Sequence, residues 1–480
     1  MAIKFSKEQV LNRLKFENPW WETTKIDKFY SKMKRREYFR LLFPLITERT
    51  IKRAVVLMGP RRVGKTVLLF HSIEKLINNG VDPKNISYFS IETPLYNGIS
   101  LEELLNLYLE LNTKKATEET YVFFDEIQYL RDWELHLKSL VDSYHNIKFI
   151  VSGSAAAALK LKSQESGAGR FTEFILPPLT FHEFLSLTNN EGLIKVDKQP
   201  ELDNEEEEVN FYQVKNIEKL NQTFLDYINF GGYPELSLSE AIQSDPGRYI
   251  RNDIIDKVLM RDLPSLYGIN DVQELNSLFT YIAYNSGGEM SLEGISQNSG
   301  VAKNTIKKYI TYLEAAFLIK VIHRIDQNGK KFKRANFFKI YLTNPSLRSA
   351  LFSPIETDDE FIGNMVETAI FAQWQHSQDS PLYYARWKSG EVDIVSLDTK
   401  QKPNWCVEIK WSNRFVNKPF ELKNAKLFCE NHGLKFLVIS TIDIEKRIDF
   451  EGIEYYFIPA SQYCYTVGKN LIDGRKEKTE

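Results

Sequence analysis

Gly59-Pro60-Arg61-Arg62-Val63-Gly64-Lys65-Thr66 is the stretch that decides how this 480-residue chain is read. It fits G-x-x-x-x-G-K-[ST], a loop whose glycines let backbone N–H groups close around phosphates. Lys65 supplies a point charge for the phosphates, and the Thr66 hydroxyl suits a Mg²⁺ ion. The flanks agree with the loop. Arg53 to Met58 is a short apolar run suited to a buried strand, and it ends at the first glycine. Val67 to Ile77 carries helical spacing and stops near Asn78-Asn79-Gly80. Strand, loop and helix follow in the order that a phosphate cradle needs.

Working outward, the length predicts two or three domains. A hydrophobic content of 43% with 26% charged residues fits a water-soluble globular chain. The net charge of -2 excludes a uniformly basic nucleic-acid binder but leaves room for a local basic face. Cys406, Cys429 and Cys464 form no C-x-x-C pair, so neither a disulfide framework nor a zinc site is expected. No apolar run reaches the roughly 18 residues that span a bilayer. The first residues lack the apolar core of a signal peptide. A cytoplasmic protein without a membrane partner is the expectation.

Downstream of the loop, Ile86 to Ile91 reads as a second strand and Leu101 to Leu111 as an amphipathic helix. Tyr121-Val122-Phe123-Phe124-Asp125-Glu126 is an apolar strand ending in two acids, the Walker B arrangement. Asp125 would support Mg²⁺ and Glu126 would polarise the attacking water. Ile147 to Val151 is a further buried strand. Ser152 or Ser154 after it would sense a γ-phosphate or simply satisfy a turn. Arg170, ahead of the strand Thr172 to Leu176, is either a surface charge or an arginine finger reaching a neighbour's nucleotide. Before the loop, residues 1–50 read as helical, with a second helix over Arg35 to Phe43 ending at Pro44.

The segments GPRRVGKT, YVFFDEIQYLRDWELHLKSL, FIVSGSAAAAL, GRFTEFILPPLTFHEFL and FGGYPE occur in this order along residues 59–235. Together they resemble the prokaryotic AAA-type ATPases of the STAND-related archaeal and bacterial group. The resemblance covers nearly the whole chain. It implies ATP and Mg²⁺ as ligands and an ASCE-type parallel sheet, with a strand inserted between the P-loop strand and the Walker B strand. It also implies a C-terminal domain of unknown function with a nuclease-like core. The sequence departs from the pattern by an acidic insertion, Asn189 to Gln213, read as an exposed loop.

Phe230-Gly231-Gly232-Tyr233-Pro234-Glu235 marks a forced turn, and Tyr249 to Asp262 reads as a helix. A helix Glu274 to Tyr284, a short helix over Met290 to Ser296, a turn at Asn298 to Val301 and a longer helix Lys303 to Phe317 give a helix-turn-helix layout. Ile319 to Ile325 and Asn336 to Tyr341 would be wing strands. Lys303, Asn304, Lys307 and Lys308 would meet DNA phosphates and bases. Farther on, Gly390 to Val395 and Trp405 to Trp411 read as strands. With Glu367 on the helix Phe361 to Gln375, they give Glu367…Asp393…Glu408-x-Lys410, which resembles the PD-(D/E)XK nuclease core. There Asp393 and Glu408, with Glu367, would hold a divalent cation and Lys410 would assist the nucleophile.

The expected architecture is therefore α/β. Helical residues 1–50 lead into a P-loop ASCE-type core at 51–185. The acidic insertion and helical lid (186–270), a winged helix-turn-helix (271–345) and an α/β restriction-endonuclease-like domain (346–480) follow. The expected function is an ATP-binding and ATP-hydrolysing AAA-type protein acting on DNA, with a metal-dependent nuclease as a further activity of the C-terminal domain. The alternative is a nucleotide-controlled switch or assembly protein whose winged helix and inactive nuclease-like fold bind DNA or a partner protein, as a homo-oligomer or with another chain.

Overall fold

The computed structural model describes residues 6–115, 117–154, 169–195, 212–331, 336–377 and 381–477. The described residues divide into two compact units, those up to Pro177 and those from Pro178 to Glu477.

The first unit is built on five strands: β1 (Ala54–Met58), β2 (Ile86–Ser90), β3 (Thr120–Asp125), β4 (Ile147–Gly153) and β5 (Phe171–Ile175). All pairs are parallel, in the order β2-β3-β4-β1-β5. Parallel strands need crossovers, and the helices Lys65–Asn78, Leu101–Leu111 and Trp133–Ser143 supply them. Strands covered on both faces read as continuous apolar runs, and every residue of β1, β3 and β4 is buried. β4 lies between β1 and β3, which is the inserted strand of an ASCE sheet.

The N-terminal helices close the open edge of β2. Asn18, 1% exposed, donates from Nδ2 to the Tyr88 carbonyl at 2.9 Å, and its Oδ1 accepts the Tyr88 N–H at 2.7 Å. One side chain thus imitates a neighbouring strand. Trp20 and Trp21 both donate their indole N–H to the Ile86 carbonyl. Buried Glu17 accepts from Thr93 and Tyr96 and pairs with Arg13 at 2.7 Å. The expected helix ending at Pro44 is displaced: the helix runs from Phe39 to Thr47 through the proline. Pro44 costs one backbone hydrogen bond, but Leu41, Leu42 and Ile46 are all buried, and their burial outweighs it.

In the second unit the Phe230–Pro234 turn is set by space rather than by a left-handed backbone. Gly231 has φ -87, yet a Cβ there would lie 2.1 Å from the Tyr227 ring, and one on Gly232 would lie 2.5 Å from the Asn344 side chain. The stretch read as a helix over Tyr249 to Asp262 is helical with wide, π-type turns over Gly247–Ile255 and Val258–Asp262. β6 (Ile194–Lys195) and β7 (Gln213–Val214) pair antiparallel at the two ends of the acidic insertion, and Glu205 to Glu208 lie outside the described residues.

A helix Val272–Tyr284 leads to β8 (Glu289–Ser291) and a helix Leu292–Ser299. Met290 and Ser291, expected in that helix, are instead strand residues. Met290 pairs with Phe338, and the Ser291 hydroxyl caps the helix by accepting from Gly294 N–H. After the helix Lys303–Ala315 come β9 (Ile319–Ile325) and β10 (Phe337–Leu342). β11 (Leu382–Trp387), β12 (Gly390–Leu397), β13 (Pro403–Glu408), β14 (Phe436–Thr441), β15 (Lys446–Phe450) and β16 (Ile453–Pro459) follow.

Residues on both sides of position 345 share one nine-stranded sheet, β15-β16-β14-β13-β12-β11-β9-β10-β8. The seam is the parallel pair β9–β11, in register Tyr383↔His323 to Ala385↔Ile325. Alternating residues of β16 enter different cores. Tyr456 and Ile458 join the cluster with helix Ile362–Trp374, and Tyr455 and Phe457 join the cluster with helix Lys423–His432.

Candidate functional site

Four chain segments meet at the C-terminal ends of β1, β3 and β4. Gly59 follows β1 where the loop passes the Leu176 carbonyl, and a Cβ there would lie 2.2 Å from that oxygen. Gly64, at φ 95, turns the chain into the helix Lys65–Asn78, so the helix N-terminus faces the loop. Pro60, Arg61, Arg62 and Val63 form the rest of the loop, with Arg62 at φ 65. Lys65 is 4% exposed and donates from Nζ to the Gly59 and Pro60 carbonyls at 3.1 and 2.8 Å. Its ammonium is thus parked across the loop that the motif assigns to phosphate.

Beneath the loop, buried Asp125 ends β3. Its Oδ2 accepts from Thr66 Oγ1 at 2.7 Å and from Tyr88 Oη at 2.8 Å. Its Oδ1 accepts from the Ser152 hydroxyl and from the Glu126 N–H at 3.1 Å. Burial and then the adjacent Glu126 charge push the Asp125 carboxyl above its usual range, while the hydroxyls of Ser152, Thr66 and Tyr88 oppose the rise. A carboxylate that is costly to ionise, beside a hydroxyl, is an oxygen donor set suited to Mg²⁺, whose charge would remove that cost. Thr66 and Asp125 are the residues that would hold it.

Glu126 sits at φ 55, a left-handed conformation that turns its side chain away from the strand direction. Its carboxylate accepts from Gln128 Nε2, and Gln128 Oε1 accepts the Ser154 N–H at 3.1 Å. Ser152 therefore backs Asp125. The Ser154 hydroxyl is buried, and among the described residues it meets no hydrogen-bond partner. Tyr88 and Gln128 escaped the sequence reading. The signal for Gln128 was its place two residues after the acid pair, and for Tyr88 a polar tip inside an apolar strand. Arg170 lies elsewhere: it precedes β5 at the end where Ala54 begins β1, opposite the loop, and pairs with Asp142 at 3.0 Å on the surface.

Residues 51–185 match a family model described as AAA domain. This segment is an AAA-type P-loop domain. Residues 221–359 match a domain of unknown function (DUF8612). Three uncharacterized proteins are similar over most of their length. One, from Haemophilus influenzae, is 26% identical over 351 residues, covering 72% of this chain and 77% of the relative. Two are from Methanocaldococcus jannaschii: one is 26% identical over 404 residues (82% and 83%), the other 27% over 351 residues (71% and 72%). Among solved structures, the Aeropyrum pernix ORC1 protein in complex with DNA has a TM-score of 0.29 at 11% identity, covering 73% of this chain and 93% of that one. The S. cerevisiae Hsp104–ADP complex has 0.29 at 13% identity, covering 59% and 38%. The strand order and the family match carry the fold assignment for the AAA domain.

In the second unit, Glu367, Asp393, Glu408 and Lys410 converge. Lys410 Nζ lies 2.7 Å from Glu408 Oε1 and 3.3 Å from Asp393 Oδ2, and Asp393 also accepts the Ile409 N–H. Lys339, missed in the sequence, enters the same cluster from β10. Its Nζ is 2.7 Å from Glu391, 2.9 Å from Glu367 and 3.6 Å from Asp393. Burial disfavours the Asp393 carboxylate, but Lys410 and Lys339 hold its pKa below the usual value; burial and Asp393 push Glu408 up to about 8. Among the described residues no group of three or more His, Cys, Asp or Glu side chains is arranged to hold a metal ion. Lys303, Asn304, Lys307 and Lys308 are exposed on the first turns of their helix, with Lys303 paired to Glu293, while Ile306, Tyr309 and Ile310 face inward. No described helix is long and apolar enough to cross a membrane.

Proposed function

We propose that this chain binds and hydrolyses ATP with Mg²⁺ and uses its nucleotide state to control a DNA contact made by the second unit. The observation behind the proposal is the Thr66–Asp125 hydrogen bond directly under the P-loop, with Glu126 next along the chain. When bound, Mg²⁺ would neutralise phosphate charge. Lys65 exchanges two loop carbonyls for phosphate oxygens, and the loop N–H groups bind the remainder. Glu126 orients the attacking water and takes its proton once Gln128 releases the carboxylate. Ser154, whose hydroxyl meets no partner among the described residues, is the side chain best suited to meet the γ-phosphate.

The DNA reading is supported by the order helix, β8, helix, helix, β9, β10, which is that of a winged helix, and by the exposed Lys303, Asn304, Lys307 and Lys308. Its test is retention of duplex DNA by the Glu126→Gln protein with ATP, with ADP and without nucleotide. The ATP state should differ from the nucleotide-free state by at least about fivefold. Equal affinity in all three states, with ATP demonstrably bound, removes the coupling. A second reading, a switch with a silent nuclease-like fold, is favoured by the two lysines that already balance the carboxylates around Asp393.

A further inference from the structure

β10 reads Phe337-Phe338-Lys339-Ile340-Tyr341-Leu342, an apolar strand with one charge inside it. A lysine that is 4% exposed persists only if its ammonium is paired. Three carboxylates pair it: Glu367 from helix Ile362–Trp374, and Glu391 and Asp393 from β12. The Tyr341 hydroxyl donates to the same Glu367 oxygen, and the Tyr384 ring lies 5.4 Å from the ammonium. Two of these acids, Glu367 and Asp393, belong to the set that resembles a nuclease metal centre. A divalent ion there needs the same carboxylate oxygens that the ammonium now holds, and two cations cannot share them without strong repulsion.

We propose that Lys339 is the resident cation of this centre, tethered through β10, and that it closes the Glu367–Glu391–Asp393 cluster to divalent metals. The inference rests on the nuclease-like reading of Asp393, Glu408 and Lys410, and it adds that the Lys339 ammonium stands where that reading would put a divalent ion. Lys410 balances the other Asp393 oxygen and Glu408, which leaves the Glu367–Glu391 side of the centre to Lys339.

The test is Mn²⁺ binding to the nucleotide-free full chain by titration calorimetry. All proteins carry Asp125→Asn, so that a metal at the P-loop is not counted. The parent should show no site that Asp393→Asn removes. Adding Lys339→Met should create one site, at least about tenfold tighter than any binding by the parent, which Asp393→Asn or Glu367→Gln abolishes. A parent that already binds Mn²⁺ in a manner sensitive to Asp393→Asn overturns the proposal. A Lys339→Met protein that melts cooperatively and gains no site overturns it as well. Because loss of the ammonium leaves like charges facing one another, the charge-balanced pair Lys339→Met with Glu391→Gln is made in parallel and carries the same expectation. Plasmid cleavage is scored separately. Mn²⁺ binding gained without cleavage retires the nuclease reading and keeps the cation assignment.

Discussion

Tyr88→Phe removes one oxygen from the nucleotide site and little else. Tyr88 is 5% exposed, its ring packs 4.8 Å from Phe70, and its hydroxyl donates to Asp125 Oδ2 at 2.8 Å. Phenylalanine keeps the ring contact, so the change is confined to one hydrogen bond on a buried carboxyl. A hydrogen bond to a charged group contributes about 1.5–3 kcal/mol, or about ten- to a hundredfold in an equilibrium. That hydroxyl is one of three that favour the ionised carboxylate against burial and Glu126. Without it, the Asp125 carboxyl moves further up, and at a given acidic pH less of it is ionised to meet Mg²⁺. The expected result is a kcat/KM for Mg-ATP that falls about ten- to a hundredfold on the acid side and recovers as pH rises, with the acid limb displaced to higher pH. The assay is the pH profile of phosphate release by both proteins, with circular dichroism confirming the fold. Superimposable profiles would refute the assignment of Tyr88 as a support of Asp125.

Three further outcomes follow from other parts of the chain. Asn18→Ala leaves the Tyr88 N–H and carbonyl on a buried edge without their partner, so the first unit should lose about 2–4 kcal/mol in denaturant unfolding; an unchanged midpoint removes the edge-cap role. Gly59→Ala drives a methyl against the Leu176 carbonyl, costing about 1–3 kcal/mol and weakening nucleotide binding; retention of wild-type affinity and Tm contradicts the loop geometry. Charge reversal at Lys303, Lys307 and Lys308 should lower the salt slope of DNA binding by about one per lysine that meets a phosphate, and an unaltered slope places the DNA contact elsewhere.

The P-loop and the acid pair were legible because their chemistry is local. A glycine loop joins its own strand to its own helix, and Asp125-Glu126 closes an apolar run. The inserted β4 followed from the resemblance and stands in the sheet order. The edge cap was hidden because Asn18 and Tyr88 are 70 residues apart and neither carries a motif. The seam of the nine-stranded sheet was hidden for a related reason. β9 and β11 pair parallel across an intervening hairpin strand and two helices, and parallel register leaves no turn signature. Lys339 did leave a trace, one charge inside an apolar strand, but naming its partners required Glu367 and Glu391 to be placed beside it. Pro44 was misread because the burial of Leu41, Leu42 and Ile46 weighs more than one missing N–H.

The claim at the centre is that Gly59–Thr66, Asp125 and Glu126 make one Mg-ATP site. Phosphate release from ATP by the full chain, with and without Mg²⁺, measured beside Lys65→Ala and Glu126→Gln, tests it most directly. Turnover should require Mg²⁺ and vanish together with nucleotide binding in Lys65→Ala. In Glu126→Gln it should fall at least about a hundredfold while ATP stays bound. ATP binding by Lys65→Ala equal to wild type, or a wild-type protein that binds no nucleotide, would contradict it.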